Sequence, residues 1–231
     1  MITATDDDKT RKRGIHIGVI PDGNRRYAIE KNIPIIQGHL EGARRIDEFV
    51  DWCGEYPEIK RVSIFALSTE NLNRPKDEVD ALWSVYRREL EKLLKDPRIS
   101  ERKVKVNVLG EHGLWNPEIK DIVRQLYYST KSYSKLVLNI LLAYGSKVEI
   151  NAAVKEIIKK PIMRLDKALY VKEPLDLVIR TGKQHRLSNF MLYQASYAEI
   201  YFSDTMWPAF TRKEFDYIME WYFEQQRKYG K

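Results

Sequence analysis

The sequence predicts an α/β protein of one domain, with a mainly parallel central sheet of about six strands and helices on both faces. Short apolar segments alternate with segments whose apolar residues recur every three or four positions, which is typical of buried parallel strands and amphipathic helices. The 231 residues, 43% of them hydrophobic, are enough for one sizeable core. We expect residues 14–231 to form this domain and the polar residues 1–13 to form a flexible tail.

The strands are predicted from compact apolar runs bounded by polar residues or glycine. These runs cover residues 15–20, 62–67, 104–109, 136–142, 175–179 and 199–202. The longest apolar run, 136–144, is far shorter than the ~20 residues of a membrane-spanning helix. We therefore expect a soluble protein that contacts membranes peripherally at most.

The helices are predicted from the apolar periodicity between the strands. The first contains Leu40 and Cys53, and the second follows Pro75, a residue favoured at the first helical position. Trp83 and Tyr86 lie on the apolar stripe of the second helix and belong either to plain core or to the wall of an apolar tunnel. Further helices are predicted for 117–131, for 146–159 and from about residue 211, with a short helix and loops in 160–174.

The composition narrows the partners and the compartment. A net charge of +7 suits an anionic partner, which could be a phosphorylated metabolite, an acidic membrane surface or nucleic acid. The single cysteine, Cys53, excludes an internal disulfide and a cysteine-rich metal site, so a reducing cytoplasm is the expected compartment.

Two distant segments, 20–26 and 179–190, combine guanidinium groups with small residues directly after predicted strands. Parallel sheets bind ligands beyond the carboxyl ends of their strands, so both segments should meet at one edge of the sheet. Asp22 could hold a hard cation that bound phosphates share, beside the charges of Arg25 and Arg26. In the alternative interpretation, this segment is a capped turn with two solvated arginines.

The later segment places two arginine side chains and a hydroxyl around one loop. Arg180 and Arg186 flank Thr181 and Gly182 and precede Ser188, and such planar forks bind phosphate oxygens in pairs. A third polar segment, 68–74, follows the second strand. It could bind substrate, or its Ser, Thr and Asn side chains could simply cap the start of a helix.

These motifs occur in an order and spacing that resemble the cis-prenyltransferase family over nearly the whole chain. The residues that carry the resemblance are His16 to Asn24, Gly38-His39 with Gly42, Ser68 with Asn71 and Arg74-Pro75, Arg180 to Phe190, and Glu199 to Phe202 with Trp207-Pro208. The resemblance implies a homodimeric enzyme with the undecaprenyl diphosphate synthase-like fold. It would use Mg²⁺ to condense isopentenyl diphosphate with an allylic prenyl diphosphate, giving a product with a Z double bond.

The resemblance also implies roles for individual residues. The implied catalytic residues are Asp22, His39, Ser68 and Asn71, and the implied magnesium ligands are Asp22 and Glu199. The implied substrate-binding residues are Gly23, Asn24, Arg25, Arg26, Tyr27, His39, Ser68, Thr69, Glu70, Leu72, Arg74, Arg180, Arg186, Leu187 and Ser188.

The chain departs from the family pattern at a few positions. Ile35 stands where members commonly carry an arginine that contacts the allylic diphosphate, Tyr27 replaces a tryptophan, and residues 228–230 carry lysine for arginine in the family's C-terminal motif. These departures leave open a family member with a non-standard prenyl donor or acceptor.

Two further hypotheses belong to other classes. A regulatory subunit of a prenyltransferase complex should have lost the motifs around Asp22 and Asn71, and both are present. A nucleic-acid-binding module is favoured only by basicity and by the fourteen tyrosines, and the sequence lacks the arginine and aromatic platform that such a module needs. We expect no nucleic acid partner.

Overall fold

A computed structural model describes residues 13–225 of the chain. The predicted tail lies outside the described residues except for Arg13, which donates hydrogen bonds of 2.8 and 2.6 Å to Asp176. The C-terminal motif at 228–230 also lies outside them. Within 13–225, no helix combines the length and apolar composition needed to cross a bilayer.

The described residues form one six-stranded sheet in which every pair of neighbouring strands is parallel. The strands are β1 (Ile15–Ile20), β2 (Ile59–Ser68), β3 (Val104–Leu109), β4 (Leu136–Tyr144), β5 (Leu177–Arg180) and β6 (Glu199–Phe202), in the spatial order β3-β4-β2-β1-β5-β6. The predicted α/β fold class is confirmed. β1 pairs with both β2 and β5, so the carboxyl ends of these three parallel strands lie side by side.

Helices connect the strands. They are α1 (Asn24–Glu30), α2 (Ile35–Glu55), α3 (Lys76–Lys95), α4 (Pro97–Glu101), α5 (Pro117–Thr130), α6 (Ser146–Lys159), α7 (Leu165–Ala168) and α8 (Arg212–Glu224). The sequence did not predict α1 as a helix, because Ala28 is its one buried residue and no apolar periodicity marks it. The helix α2 begins at Ile35, ahead of the predicted first apolar residue Leu40.

The ends of β2, β4 and β5 differ from the predicted boundaries by one to three residues. β2 begins at Ile59, three residues before the predicted start at residue 62. The prediction began later because Lys60 and Arg61 interrupt the apolar pattern. β5 extends to Arg180, whose side chain is only 3% exposed and whose backbone is paired in register with Ile20 of β1. A charged residue thus ends a buried strand, which places its guanidinium inside the edge of the sheet.

The sheet separates two apolar clusters. The larger one packs β1 to β5 against α2, α3, α5 and α8, with Phe49, Leu82, Ile119 and Phe215 among its buried members. The smaller one, on residues that alternate with these along the strands, includes Phe65, Leu141, Val178 and Phe190. The helix α6 adjoins it through Glu149, which accepts a hydrogen bond from Tyr144. These layers fix the ends of the strands, where the site lies.

Candidate active site

The structure brings the two arginine-containing segments together at the carboxyl ends of β1 and β5. Arg180 donates a hydrogen bond of 2.8 Å to one carboxylate oxygen of Asp22, and the Thr181 hydroxyl donates one of 2.9 Å to the Asp22 carbonyl. The parallel pairing of Ile20 with Arg180 dictates this approach, since it sets both loops at the same height.

The turn after β1 positions Asp22 and the arginines of α1. Gly23 has φ of 109°, a conformation that a side chain would strain, and a Cβ there would lie 3.0 Å from the Met206 Cβ. Arg26 reaches back from the first turn of α1 to the second carboxylate oxygen of Asp22, at 3.2 Å. The carboxylate therefore lies between two guanidinium groups.

Arg180 is the most buried cation of the site. It donates to the Ser188 hydroxyl at 2.8 Å and to the Arg186 carbonyl, in addition to Asp22. Its Nε is buried and has no hydrogen-bond partner among the described residues. Because an unpaired buried donor is costly, this nitrogen is a donor available to an anionic ligand.

The loop that follows Arg180 presents its polar groups to solvent. Ser188 has φ of 47° and is exposed, and its hydroxyl also accepts from Arg186 Nε at 3.3 Å. Arg186 is exposed and contacts Gln184 at 2.5 Å. Two guanidinium groups thus converge on one hydroxyl, an arrangement that suits phosphate oxygens.

The segment after β2 combines capping with exposure to the cavity. The Ser68 hydroxyl accepts from the Asn71 backbone at 3.2 Å, and the Asn71 amide oxygen accepts from the Ser68 backbone at 3.1 Å. The capping interpretation is therefore confirmed, yet Ser68 and Asn71 also line the cavity described below. The exchange uses the amide oxygen of Asn71 and leaves its NH₂ group as a donor.

Glu78 joins two arginines that follow different strands. It accepts a hydrogen bond of 2.9 Å from Arg74 and lies 3.6 Å from Arg25. Glu78 lies in the first turn of α3. Its role in joining the two arginines was not visible in the sequence, because the contact with Arg25 depends on α1 and α3 meeting in space.

His39 lies half-buried beside this group. Burial and the positive charge of Arg74 lower the pKa of His39 to about 4, so its imidazole is neutral near pH 7. Its Nε2 is buried without a partner among the described residues. A neutral ring with a free nitrogen can bind one polar atom of a ligand but adds no charge.

A cavity of about 1420 Å³ extends from this polar rim along the sheet. Asp22, Arg25 and Arg180 lie at one end, and Val104 and Leu136, at the amino ends of β3 and β4, lie at the other. Its walls between these ends are mainly apolar side chains, namely Ile46, Val50, Ile64, Leu82, Val85, Leu90, Leu93, Leu138 and Ile140. The ten residues of β2 span roughly 30 Å at ~3.3 Å per residue, and Ile59 and Ser68 at its two ends both line the cavity.

Most of the predicted site residues line this cavity. They are Asp22, Gly23, Asn24, Arg25, Arg26, His39, Ser68, Glu70, Asn71, Arg74, Arg180, Arg186 and Ser188. Five others do not: Leu72 and Leu187 pack against the two apolar clusters, Tyr27 and Thr69 lie off the cavity wall, and Glu199 lies at the start of β6. Trp83 likewise packs in the core, whereas Tyr86 lines the cavity.

The structure places Asp22 and Glu199, the two expected magnesium ligands, apart from each other within the chain. Glu199 is in register with Leu177, which pairs with Ile17 of β1. Asp22 follows the other end of β1, so Glu199 lies about 10 Å below that end at ~3.3 Å per residue. A metal ligand role for Glu199 stays a prediction that a single chain does not satisfy.

The remaining donor set fits one mode of magnesium binding. Within residues 13–225, no three His, Cys, Asp or Glu side chains group as a metal site of their own. Mg²⁺ is commonly held by one or two carboxylates together with substrate phosphates and water. Asp22, beside arginines that would bind those phosphates, suits this mode, and its carboxylate oxygens would exchange arginine contacts for the ion.

A rim of arginines around the Asp22 carboxylate, above a long apolar cavity, defines a protein that binds a diphosphate attached to an apolar chain. Residues 20–230 match the family model described as undecaprenyl diphosphate synthase. The chain therefore belongs to this family of prenyltransferases.

Individual relatives agree with this assignment. The chain is 38% identical, over 94% of its length and 95% of the relative's, to a tritrans,polycis-undecaprenyl-diphosphate synthase (geranylgeranyl-diphosphate specific) of Pyrobaculum aerophilum. A probable undecaprenyl diphosphate synthase of Campylobacter jejuni has a similar structure, with a TM-score of 0.81, 31% identity and coverage of 94% and 99% of the two chains. Lavandulyl diphosphate synthase from Lavandula x intermedia, at 24% identity and a TM-score of 0.88 over 95% and 99%, shares the fold.

Proposed function

We propose that the protein condenses isopentenyl diphosphate with an allylic prenyl diphosphate to form a Z-polyprenyl diphosphate. The single observation that carries the proposal is the position of the Asp22–Arg180 pair at the head of the apolar cavity. A rim that binds diphosphates thereby adjoins a space that could hold a growing hydrocarbon. The presence of both Asp22 and Asn71 on the cavity wall favours a working enzyme over a regulatory subunit.

The first step breaks the allylic carbon–oxygen bond and leaves its electron pair on the departing diphosphate. Arg25 and Arg26, beside the Gly23 turn, would bind that diphosphate and stabilise its developing charge. Magnesium, when bound by Asp22, would supply further stabilisation of the same charge. His39, being neutral, would donate or accept a single hydrogen bond there.

The second step forms the new carbon–carbon bond. Arg180, Arg186 and Ser188 would hold the diphosphate of isopentenyl diphosphate, while Ser68 and Asn71 would orient its alkene toward the allylic carbon. The alkene electrons form the bond, and the resulting cation passes a proton to the departed diphosphate to give the new double bond. Because Asn71 is fixed by the reciprocal bonds with Ser68, its amide is pre-oriented for this task.

The apolar cavity would accept the product as it lengthens. Each five-carbon unit moved from water into the cavity gains up to ~4 kcal/mol at ~0.8 kcal/mol per carbon. Val85 and Leu90 of α3 and Ile64 and Ile140 of the sheet all line this space. Elongation would therefore draw the hydrocarbon chain into the cavity. After each condensation, the diphosphate of the product would move along the rim from Arg180, Arg186 and Ser188 to Arg25 and Arg26.

The starter and the assembly belong to the proposal as well. The specificity printed for the Pyrobaculum relative makes geranylgeranyl diphosphate the first starter to test. We further propose a homodimer, a cytoplasmic location and peripheral contact with a membrane that receives the product. A membrane contact is chemically reasonable, because the product is a lipid while its maker has no spanning helix within residues 13–225.

The test is condensation of radiolabelled isopentenyl diphosphate with geranyl, farnesyl or geranylgeranyl diphosphate, with magnesium or with EDTA. We expect a butanol-extractable labelled lipid that forms only with magnesium, and its mass gives the starter and the number of added units. Absence of a magnesium-dependent product with every starter would contradict the proposal.

A further inference from the structure

Asn189 lies where the segment after β2 meets the loop after β5. Its NH₂ group donates a hydrogen bond of 2.9 Å to the carboxylate of Glu70, in the segment after β2. The neighbouring Ser188 accepts from Arg180, in the loop after β5. Asn189 and Glu70 both line the cavity. This side chain is therefore a direct link between the 68–74 segment and the 180–188 loop.

The first turn of α6 fixes Asn189 in place. The Ser146 backbone donates to the Asn189 carbonyl at 2.8 Å, and the Lys147 backbone donates to its side-chain oxygen at 3.0 Å. Because the oxygen is held by an N–H donor, the NH₂ group must face the other way, toward Glu70. The orientation of the amide is thus decided by a helix that carries no substrate-binding residue.

The close packing around this link leaves little freedom. Asn189 has φ of 65°, and a Cβ at Gly145 would lie 2.6 Å from its NH₂ nitrogen and 2.9 Å from the Thr69 hydroxyl oxygen. The link to Asn189 also helps to lower the pKa of Glu70, so the carboxylate is ionised and is a strong acceptor. Helix α6, Asn189 and Glu70 therefore form one connected support.

We infer that Asn189 is a positioning residue that sets the spacing between the 68–74 segment and the 180–188 loop, which would hold the alkene and the diphosphate of isopentenyl diphosphate. The inference rests on the proposed function, in which the 68–74 segment orients the alkene and Arg180 and Ser188 hold the diphosphate. These two parts of one small substrate must be held in a fixed relation to the allylic carbon. A slack link would misplace the alkene without removing any group that touches it.

The test first removes the donor of the Asn189–Glu70 hydrogen bond and then, in a double variant, exchanges its donor and acceptor. Asn189→Asp keeps an oxygen for the Lys147 N–H, tolerates the positive φ and places a second carboxylate opposite Glu70. We expect kcat/KM for isopentenyl diphosphate to fall about tenfold or more, with KM for the allylic diphosphate within about twofold of wild type. Glu70→Gln combined with Asn189→Asp restores the hydrogen bond in the opposite sense and should recover activity relative to Asn189→Asp alone.

Asn116→Asp is the matched control. The Asn116 side-chain oxygen accepts a hydrogen bond from the Ile119 backbone at the start of α5, outside the cavity lining. Asn116→Asp therefore makes the same chemical change at a helix start away from the site. Its kinetics should equal those of the wild type.

The outcomes separate the two claims. Wild-type kinetics in Asn189→Asp, or a double variant no better than the sum of the single effects, would overturn the positioning role while the proposed function stands. Equal losses for both diphosphate substrates would also overturn it, because a general disturbance of the fold has that signature. No turnover by the wild type would overturn both claims.

Discussion

Arg180 and Asp22 are hydrogen-bonded at 2.8 Å although 158 positions separate them in the chain. The arginine is almost fully buried and the aspartate is partly exposed, so the pair joins the inside of the sheet to its ligand-binding edge. Before substrate binds, the Asp22 carboxylate balances the positive charge of the buried Arg180 guanidinium. Substrate and metal would then compete for the same groups, which links binding at one loop to the arrangement of the other.

Replacing Asp22 should abolish turnover. Asp22→Ala removes the proposed magnesium ligand and leaves Arg180 without its carboxylate, so we expect kcat to fall at least about 100-fold. The measurement is labelled-lipid formation at saturating substrates, with urea unfolding to confirm the fold. Asp121→Ala is the control, since Asp121 pairs with Arg124 on the exposed side of α5. Substantial turnover in Asp22→Ala would remove this residue from the proposed chemistry.

Position 35 should tune the affinity for the allylic substrate. Ile35 lies one helical turn before His39, on the same side of α2, and is exposed. Ile35→Arg adds a cation near the allylic diphosphate, and an exposed charge pair worth 0.2–1 kcal/mol corresponds to roughly 1.5- to 5-fold tighter binding. Titration with a non-hydrolysable allylic analogue measures it, with Ile36→Arg as the neighbouring control. Unchanged affinity would show that other cations already supply this contact.

The cavity volume should limit the length of the product. Ile140 of β4 lines the cavity midway along the sheet, and a phenylalanine there would occupy space that the growing chain needs. We expect Ile140→Phe to shift the product masses toward fewer isoprene units at a retained initial rate. Ile158→Phe adds the same ring on the exposed side of α6 and should leave the masses unchanged. Products as long as the wild type's would place the chain elsewhere.

The stability of the fold should decrease in mild acid because of His16. Burial and the charge of Arg61 lower the pKa of His16 to about 3, and its ring contacts the Ser63 hydroxyl at 2.7 Å. The unfolded chain binds this proton near pH 6.5, so the contribution is complete above pH 6.5 and is lost as pH falls toward 3. At pH 5 the loss is about 2 kcal/mol relative to pH 8.

Urea unfolding at several pH values checks this expectation. His16→Gln should flatten the dependence of unfolding free energy on pH, leaving the part that His39 contributes with the same sign. His185→Gln, at an exposed ring, is the comparison. Equal slopes in wild type and His16→Gln would contradict the assignment.

Much of the fold followed from local patterns. The six strands were predicted because each leaves a short segment rich in apolar residues, and the polar residues after these segments predicted the edge where Asp22 and Arg180 meet. The helix α1 escaped prediction because its single buried residue leaves no periodicity. Leu72 and Leu187 were assigned to the substrate from their motifs, but their side chains pack against the apolar clusters.

The amino-acid order alone was sufficient for the strand and helix succession and for the residue types at the rim, since these depend on neighbours within a few positions. The three-dimensional arrangement was needed for the links from Glu78 to Arg25 and from Asn189 to Glu70, and for the distance that keeps Glu199 away from Asp22. Each of these depends on strand register and helix placement, which bring residues more than 50 positions apart into an ion pair or a hydrogen bond, or keep them apart.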